Sequence, residues 1–190
     1  MALPHIPYRW TLDDLFALPD DGKRYELVEG QLTEMPAPSM AHAIVVANLL
    51  RLLFALRSAI GLETFTAPMA VFLRSQDLLQ PDIVGLLPNS RARRVKAGID
   101  GPPDLVIEVL SPSTRDHDLL TKRALYGLAG VREYWIVDPE ARTVERLSLH
   151  DDALHRASLA SVGESLESPL LPGAAIPLAA IFADLDGIED

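Results

Sequence analysis

The segment DLVIEVL, residues 104–110, sets one acidic side chain, Glu108, inside a run that is otherwise Leu, Val and Ile after its opening Asp104. A short apolar run rich in β-branched residues, closed off by Pro103 and Pro112, predicts a strand covered on both faces. A buried carboxylate without a partner costs several kcal/mol, so the fold has to bring Glu108 a cation or a donor, or leave it at the rim of a site. A second buried-type strand, EYWIVDP at 133–139, follows one helix later and is cut off by Pro139. Strand, helix and strand in this order predict an α+β fold of the α/β/α type, a mixed β-sheet flanked by helices.

The remaining elements follow from periodicity and punctuation. Residues 11–18 read as a short helix with Thr11 as N-cap and Asp13 and Asp14 in its first turn. YELVEGQLTEMP, from residue 25, reads as a hairpin turning at Glu29-Gly30, with Tyr25, Leu27 and Leu32 apart from Glu26, Glu29 and Glu34. Ser39 caps a helix expected to run to about 58 and to stop near Gly61. Two of its stripes are apolar, one through Val46, Leu49 and Leu53 and one through Ala43, Ala47, Leu50 and Phe54, which implies central burial or pairing with a second subunit. Strands are expected at 63–67, 69–73 and 82–87, then a loop, then the 104–110 strand and a helix over 115–129 closed by Gly130. A strand at 142–149 pairs back on 133–139, and the tail supplies one or two weaker strands and a short helix at 177–183.

Composition narrows the function classes. With 27 acidic against 17 basic residues the formal net charge is −10, which argues against coating nucleic acid by bulk charge. The 190 residues contain no cysteine, so any metal sits on oxygen or imidazole ligands. The most apolar run, Ala43 to Leu56, is broken by Asn48 and Arg51 and falls short of the roughly 20 residues a membrane span needs. MALPHIPYRW lacks the apolar stretch of a signal peptide. A soluble cytoplasmic chain, with no membrane partner, is the expectation.

Asp82 directly follows Pro81 and opens the run Ile83-Val84, so two carboxylates, Asp82 and Glu108, enter the sheet from separate strands. Converging, they suit one hard cation, Mg²⁺ or Mn²⁺, which takes oxygen ligands and keeps several waters; taken singly, each is equally well read as a solvated strand end. Asp118, Lys122 and Tyr126 are spaced by four and share a helix face. Lys122 there can bring an ammonium to the carboxylates, to position or activate a water or to stabilise charge on phosphorus. The plainer reading is an Asp118–Lys122 surface pair worth about 0.3–0.5 kcal/mol. His5, His117, His150 and His155 show no metal spacing and read as surface residues.

These residues together resemble the Uma2-like restriction endonucleases (DUF820), a branch of the PD-(D/E)XK nuclease superfamily. The resemblance runs over about 22–150 and rests on YELVEG at 25–30, His42, QPDIV at 80–84, PDLVIEVLSPST at 103–114, the Asp118–Lys122–Tyr126 spacing and GVREYWIVDP at 130–139. It implies a restriction-endonuclease-like fold in a single domain, 1–190, with its core at about 22–150 and an extension at 151–190. It further implies a metal-dependent endonuclease acting on DNA, with Asp82 and Glu108 as ligands of Mg²⁺ or Mn²⁺, joined by the Val109 carbonyl, and with Lys122 as the catalytic lysine. In the superfamily's usual pattern that lysine lies two residues after the glutamate, where this chain has Leu110; in other branches it has moved to the following helix, as Lys122 has here. Glu26 is implied as an additional carboxylate near the metal, and His42 as a group that contacts phosphate or orders water.

The basic cluster Arg91, Arg93, Arg94 and Lys96 is a candidate contact for the DNA backbone, with Arg115, Lys122 and Arg123 adding to a positive rim. Tyr134 and Trp135 read as core residues rather than base-stacking platforms. A homodimer is expected from the greasy 39–58 helix. The alternative from another class is a catalytically inactive nuclease-fold protein acting as a binding or assembly module. A carboxylate-pair glycosidase fits less well, since only 6% of residues are aromatic and sugar sites usually display aromatic platforms.

Overall fold

A computed structural model of the chain describes residues 8–74, 76–112 and 115–188; His5, Ser113 and Thr114 lie outside the described residues. Helix α1 (Leu12–Phe16) opens on Thr11, whose hydroxyl and backbone amide exchange hydrogen bonds with Asp14 in a capping box. Strands β1 (Arg24–Val28) and β2 (Gln31–Met35) form the expected hairpin. Glu29 and Gly30 both take positive φ, 49° and 80°, the pair of left-handed residues that matches strand twist in a two-residue turn.

Helix α2 (Met40–Phe54) is capped by Ser39 Oγ, and after a break α3 (Arg57–Ile60) ends at Gly61 with φ 72°. The stop is where glycine placed it; the break at residues 55–56 was not expected. Strands β3 (Glu63–Thr66), β4 (Val71–Leu73), β5 (Asp77–Leu79), β6 (Ile83–Leu86), β7 (Arg93–Val95), β8 (Gly98–Asp100) and β9 (Leu105–Val109) follow. A π-helical segment (His117–Lys122) runs directly into α4 (Arg123–Ala129), closed by Gly130. The chain finishes with β10 (Glu133–Asp138), β11 (Thr143–His150), β12 (Ala153–Ser161), β13 (Ser165–Glu167), β14 (Ala175–Pro177) and α5 (Leu178–Ile181).

These strands build two mixed six-stranded sheets, where one sheet was expected. One has the order β2-β1-β5-β4-β8-β7 and the other β12-β11-β10-β9-β6-β3, while β13 and β14 form a ribbon. In the second sheet β9 and β10 run parallel, as their helical crossover requires, and β6 and β9 run antiparallel. Alternation along β9 splits its side chains between two cores. Ile107 and Val109 pack with Val45, Leu49 and Leu53 of α2 and with Leu178 and Ile181 of α5. Val106 and Leu110 pack with Val71, Leu79 and Ile99 of the first sheet and with Leu125 and Tyr126 of α4.

Three details depart from expectation. The tail carries three strands where one or two were expected: β12 spans nine residues on the edge of the second sheet, and Leu166, Leu171, Ile176 and Phe182 complete the first core. The RARRVK segment is not a plain loop, since Arg93–Val95 pair with Gly98–Asp100. Helix α2 is buried along one side only, with Met40 65% and Phe54 53% exposed. Tyr134 and Trp135 are fully buried. Among the described residues, no helix is long and apolar enough to cross a membrane.

Candidate active site

The register Ile83↔Ile107 places Asp82, one residue before β6, opposite Glu108 on β9. Residues opposite one another across an antiparallel pair share a face, here the face of Val84 and Val106 that looks toward the first sheet and α4. The two carboxylates are also tied through the backbone. Asp82 Oδ2 accepts the amide of Val109 at 2.8 Å, and His42 Nε2, from the first turn of α2, lies 3.0 Å from the same oxygen.

Glu108 is buried, and both its described donors reach Oε1: Lys122 Nζ at 3.0 Å and Tyr126 Oη at 2.8 Å. Lys122 is itself 1% exposed and lies 3.2 Å from Glu26 Oε1 and 3.1 Å from Asp118 Oδ1. Glu26, on β1 of the other sheet, is fully buried and accepts the Gln80 amide at 2.8 Å. The expected hairpin alternation holds only in part: Glu34 pairs with Tyr25 and so shares the face of Tyr25, Leu27 and Leu32, while Glu26, on the other face, is covered because it closes on the lysine. Asp118 and Lys122 both lie on the π-helical segment, a widened geometry that often occurs at functional sites. Tyr134 donates to the Asp118 carbonyl at 3.1 Å, and the rings of Tyr126 and Tyr134 meet edge to face at 5.1 Å.

The electrostatics follow from three buried carboxylates around one ammonium. Burial alone would depress the Lys122 ammonium; Glu108, then Glu26 and Asp118, outweigh it and hold it well above the ordinary lysine range. Lys122 is therefore an ammonium held by three carboxylates, placed to stabilise charge that grows beside it. Burial pushes Glu108 well above the usual carboxylate range; Lys122 opposes this, and Asp118, Asp82 and Glu26 add to it. Burial works against Glu26 as well, but the Lys122 ammonium, with His117 nearby and the Gln80 backbone amide donating to it, brings it below its ordinary value.

A small cleft of about 40 Å³ opens on this cluster, lined by Asp82, Glu108, Val109, Asp118, Lys122 and His42 on one side and by Arg24 and Met35–Pro38 on the other. Among the described residues no set of three or more His, Asp or Glu side chains is arranged to hold a metal unaided. A hard cation commonly takes one or two carboxylates and fills its shell with water and substrate phosphate, and Asp82 and Glu108 supply two carboxylates on one face. The donor set fits such an ion on two further grounds. The described hydrogen bonds to Asp82 and Glu108 side chains fall on Oδ2 and Oε1, and with all three carboxylates around Lys122 ionised the cluster carries surplus negative charge that a dication offsets.

Of the residues singled out in sequence, Asp82, Glu108, Lys122, Glu26 and His42 come together here. Arg91, Arg93, Arg94 and Lys96 do not: none lines the cleft, and β7 lies at the opposite end of its sheet from the β1–β2 hairpin. Arg93 and Arg94 pair instead with Asp100 and Glu63. The expected positive rim changes as well, since Lys122 is buried and Arg123 donates to the Leu154 carbonyl. Arg115 lines a groove of about 860 Å³ that shares Ser111 with the cleft, its guanidinium held by Asp138 at 2.9 Å. His117, expected on the surface, is only partly exposed, and its Nε2 is 3.7 Å from Glu26 Oε2. The plainer reading of Asp118, a surface pair with Lys122, does not hold, since both side chains are buried.

Comparison with known proteins bears on the same features. The family model "Uma2: Putative restriction endonuclease" matches residues 12–179. A solved structure described as a putative nuclease belonging to DUF820, from Anabaena variabilis ATCC 29413, superposes with a TM-score of 0.75 at 18% identity, covering 91% of this chain and 97% of that one. No curated protein matches the sequence.

Proposed function

Since the chain belongs to the Uma2 family, we propose that it is a divalent-metal-dependent endonuclease that hydrolyses DNA phosphodiester bonds at the cleft between Asp82 and Glu108. The observation that carries this reading is the placement of Asp82 opposite Glu108, with the buried Lys122 ammonium 3.0 Å from the glutamate. A Mg²⁺ or Mn²⁺ ion held there would polarise the phosphodiester and lower the pKa of an attacking water.

The chain's own groups supply the rest. His42 and the Val109 amide fix Asp82 by Oδ2, while Lys122 and Tyr126 fix Glu108 by Oε1. Lys122 contributes a permanent positive charge in a site of low dielectric, where charge growing on phosphate oxygens is stabilised most. Glu26 and Asp118 hold that ammonium in place. The DNA backbone lies along the groove walled by Arg115, which Asp138 presents in a fixed orientation, because the RARRVK cluster is not at the cleft. A second copy of the chain covers the exposed side of α2.

The test is cleavage of supercoiled plasmid and of single-stranded DNA by purified protein with Mg²⁺, Mn²⁺ or EDTA. Nicking or linearisation is expected only with metal and only in wild type. Equal cleavage by Asp82→Asn would assign the activity to a contaminant. Tight metal-independent DNA binding without cleavage would favour the binding or assembly module instead.

A further inference from the structure

Among the described residues Glu108 receives two donors on one oxygen, and only one of them belongs to the charged cluster. Lys122 Nζ is shared among Glu108, Glu26 and Asp118 at 3.0, 3.2 and 3.1 Å. A donor divided among three acceptors sets the position of the Glu108 carboxylate but not its rotation, since the last torsion of a glutamate is broad and roughly two-fold. The second donor differs in kind. Tyr126 is fully buried one helical turn beyond Lys122, its Oη is 2.8 Å from Glu108 Oε1, and its ring rests edge to face on Tyr134 at 5.1 Å. A phenol has few torsions, and with its ring packed in the core it aims one hydrogen bond along one line. Nothing about packing requires that hydroxyl, because phenylalanine would fill the same space.

We infer that Tyr126 is a positioning residue of the site: with Lys122 it holds Glu108 by Oε1 and so turns Oε2 toward a divalent cation shared with Asp82. Asp82 is treated in the same way, with His42 and the Val109 amide both on Oδ2. Each carboxylate is thus anchored by one oxygen, an outer layer of hydrogen bonds that fixes ligand orientation before metal arrives. The inference rests on the metal-site reading above and adds to it a residue that never touches metal or substrate.

Calorimetric titration of the full chain with MnCl₂ tests it, comparing wild type, Tyr126→Phe and Tyr134→Phe. Each variant loses one buried phenol hydroxyl from one of two touching rings. Tyr134 donates to a backbone carbonyl and not to Glu108, so it reports what general loosening does. Tyr126→Phe is expected to bind Mn²⁺ about tenfold more weakly, and Tyr134→Phe with little change. Equal affinities in wild type and Tyr126→Phe, or equal losses in both variants, would overturn the inference while leaving the metal site intact. Absence of Mn²⁺ binding in wild type would overturn the site itself. A readout free of variants is the NMR signal of isotope-labelled tyrosine rings during MgCl₂ titration, where Tyr126 should shift and Tyr134 should not; an unmoved Tyr126 resonance overturns the inference.

Discussion

Asp82 and Glu108 stand opposite one another across the antiparallel β6–β9 pair, and the amide that follows Glu108 in the chain closes on Asp82 Oδ2 at 2.8 Å. One backbone register therefore sets the separation and the shared face of both carboxylates, without help from a flexible loop. Mobile side chains are not asked to find each other. The site is built into the sheet, and the lysine is delivered to it by the helical crossover.

Stability of the metal-free protein should depend on pH in a way that Glu108→Gln removes. Glu108 keeps its proton to higher pH when folded than when unfolded, so the native state binds more protons and stability falls as pH rises above the usual glutamate value of 4.5. Glu26 acts oppositely: its lowered value contributes stability above the unfolded value that is lost as pH falls through the folded one. Thermal midpoints measured in EDTA should decline from mildly acidic toward neutral and alkaline pH in wild type. They should stay flatter in Glu108→Gln, and a wild-type curve that climbs over that range would contradict the assignment.

Removing the ammonium should be costly. Lys122→Met leaves Glu26, Glu108 and Asp118 buried without their common partner, and breaking such a cluster from one side costs about 3–5 kcal/mol. Urea unfolding should show the loss, and Mg²⁺ should restore part of it. A change within about 0.5 kcal/mol, the size of an ordinary surface substitution, would mean that the lysine is not the cluster's counterion.

DNA contact can be separated from general charge by its salt dependence. Arg115→Ala should reduce the slope of log affinity against log salt by about one counterion, read by fluorescence anisotropy with a short duplex. Arg93→Ala, at the far end of its sheet, should leave the slope unchanged. The reverse pattern would move the DNA path to β7.

Self-association should run through α2. Phe54 and Met40 are its large exposed apolar residues, so wild type is expected to sediment as a dimer in analytical ultracentrifugation and Phe54→Asp as a monomer. A wild type that sediments as a monomer at all concentrations removes the second copy.

Much of this site was legible in the sequence because its residues break local rules. Glu108 stood out as the lone acid in an apolar strand, Asp82 by its place after Pro81, and Lys122 by its spacing from Asp118 and Tyr126. What escaped notice lacked any local signal. His117 reaches Glu26 from a different element, and a histidine with no periodic partner looks like any surface residue. The π-helical turn has the same composition as an α-helical one. Strands β5 and β8 are three residues long, too short for alternation to register, so the division into two sheets was hidden. The break in α2 carries no proline or glycine, and the reach of RARRVK depended on sheet order, which spacing along the chain does not encode.

The central claim is that Asp82 and Glu108 together hold a divalent cation beside Lys122, and anomalous diffraction from crystals soaked in MnCl₂ tests it most directly. The expected result is one strong peak about 2.1 Å from an oxygen of each carboxylate, absent from Asp82→Asn crystals soaked in parallel. A wild-type map with no peak in that cleft, or with its manganese elsewhere, would contradict the claim.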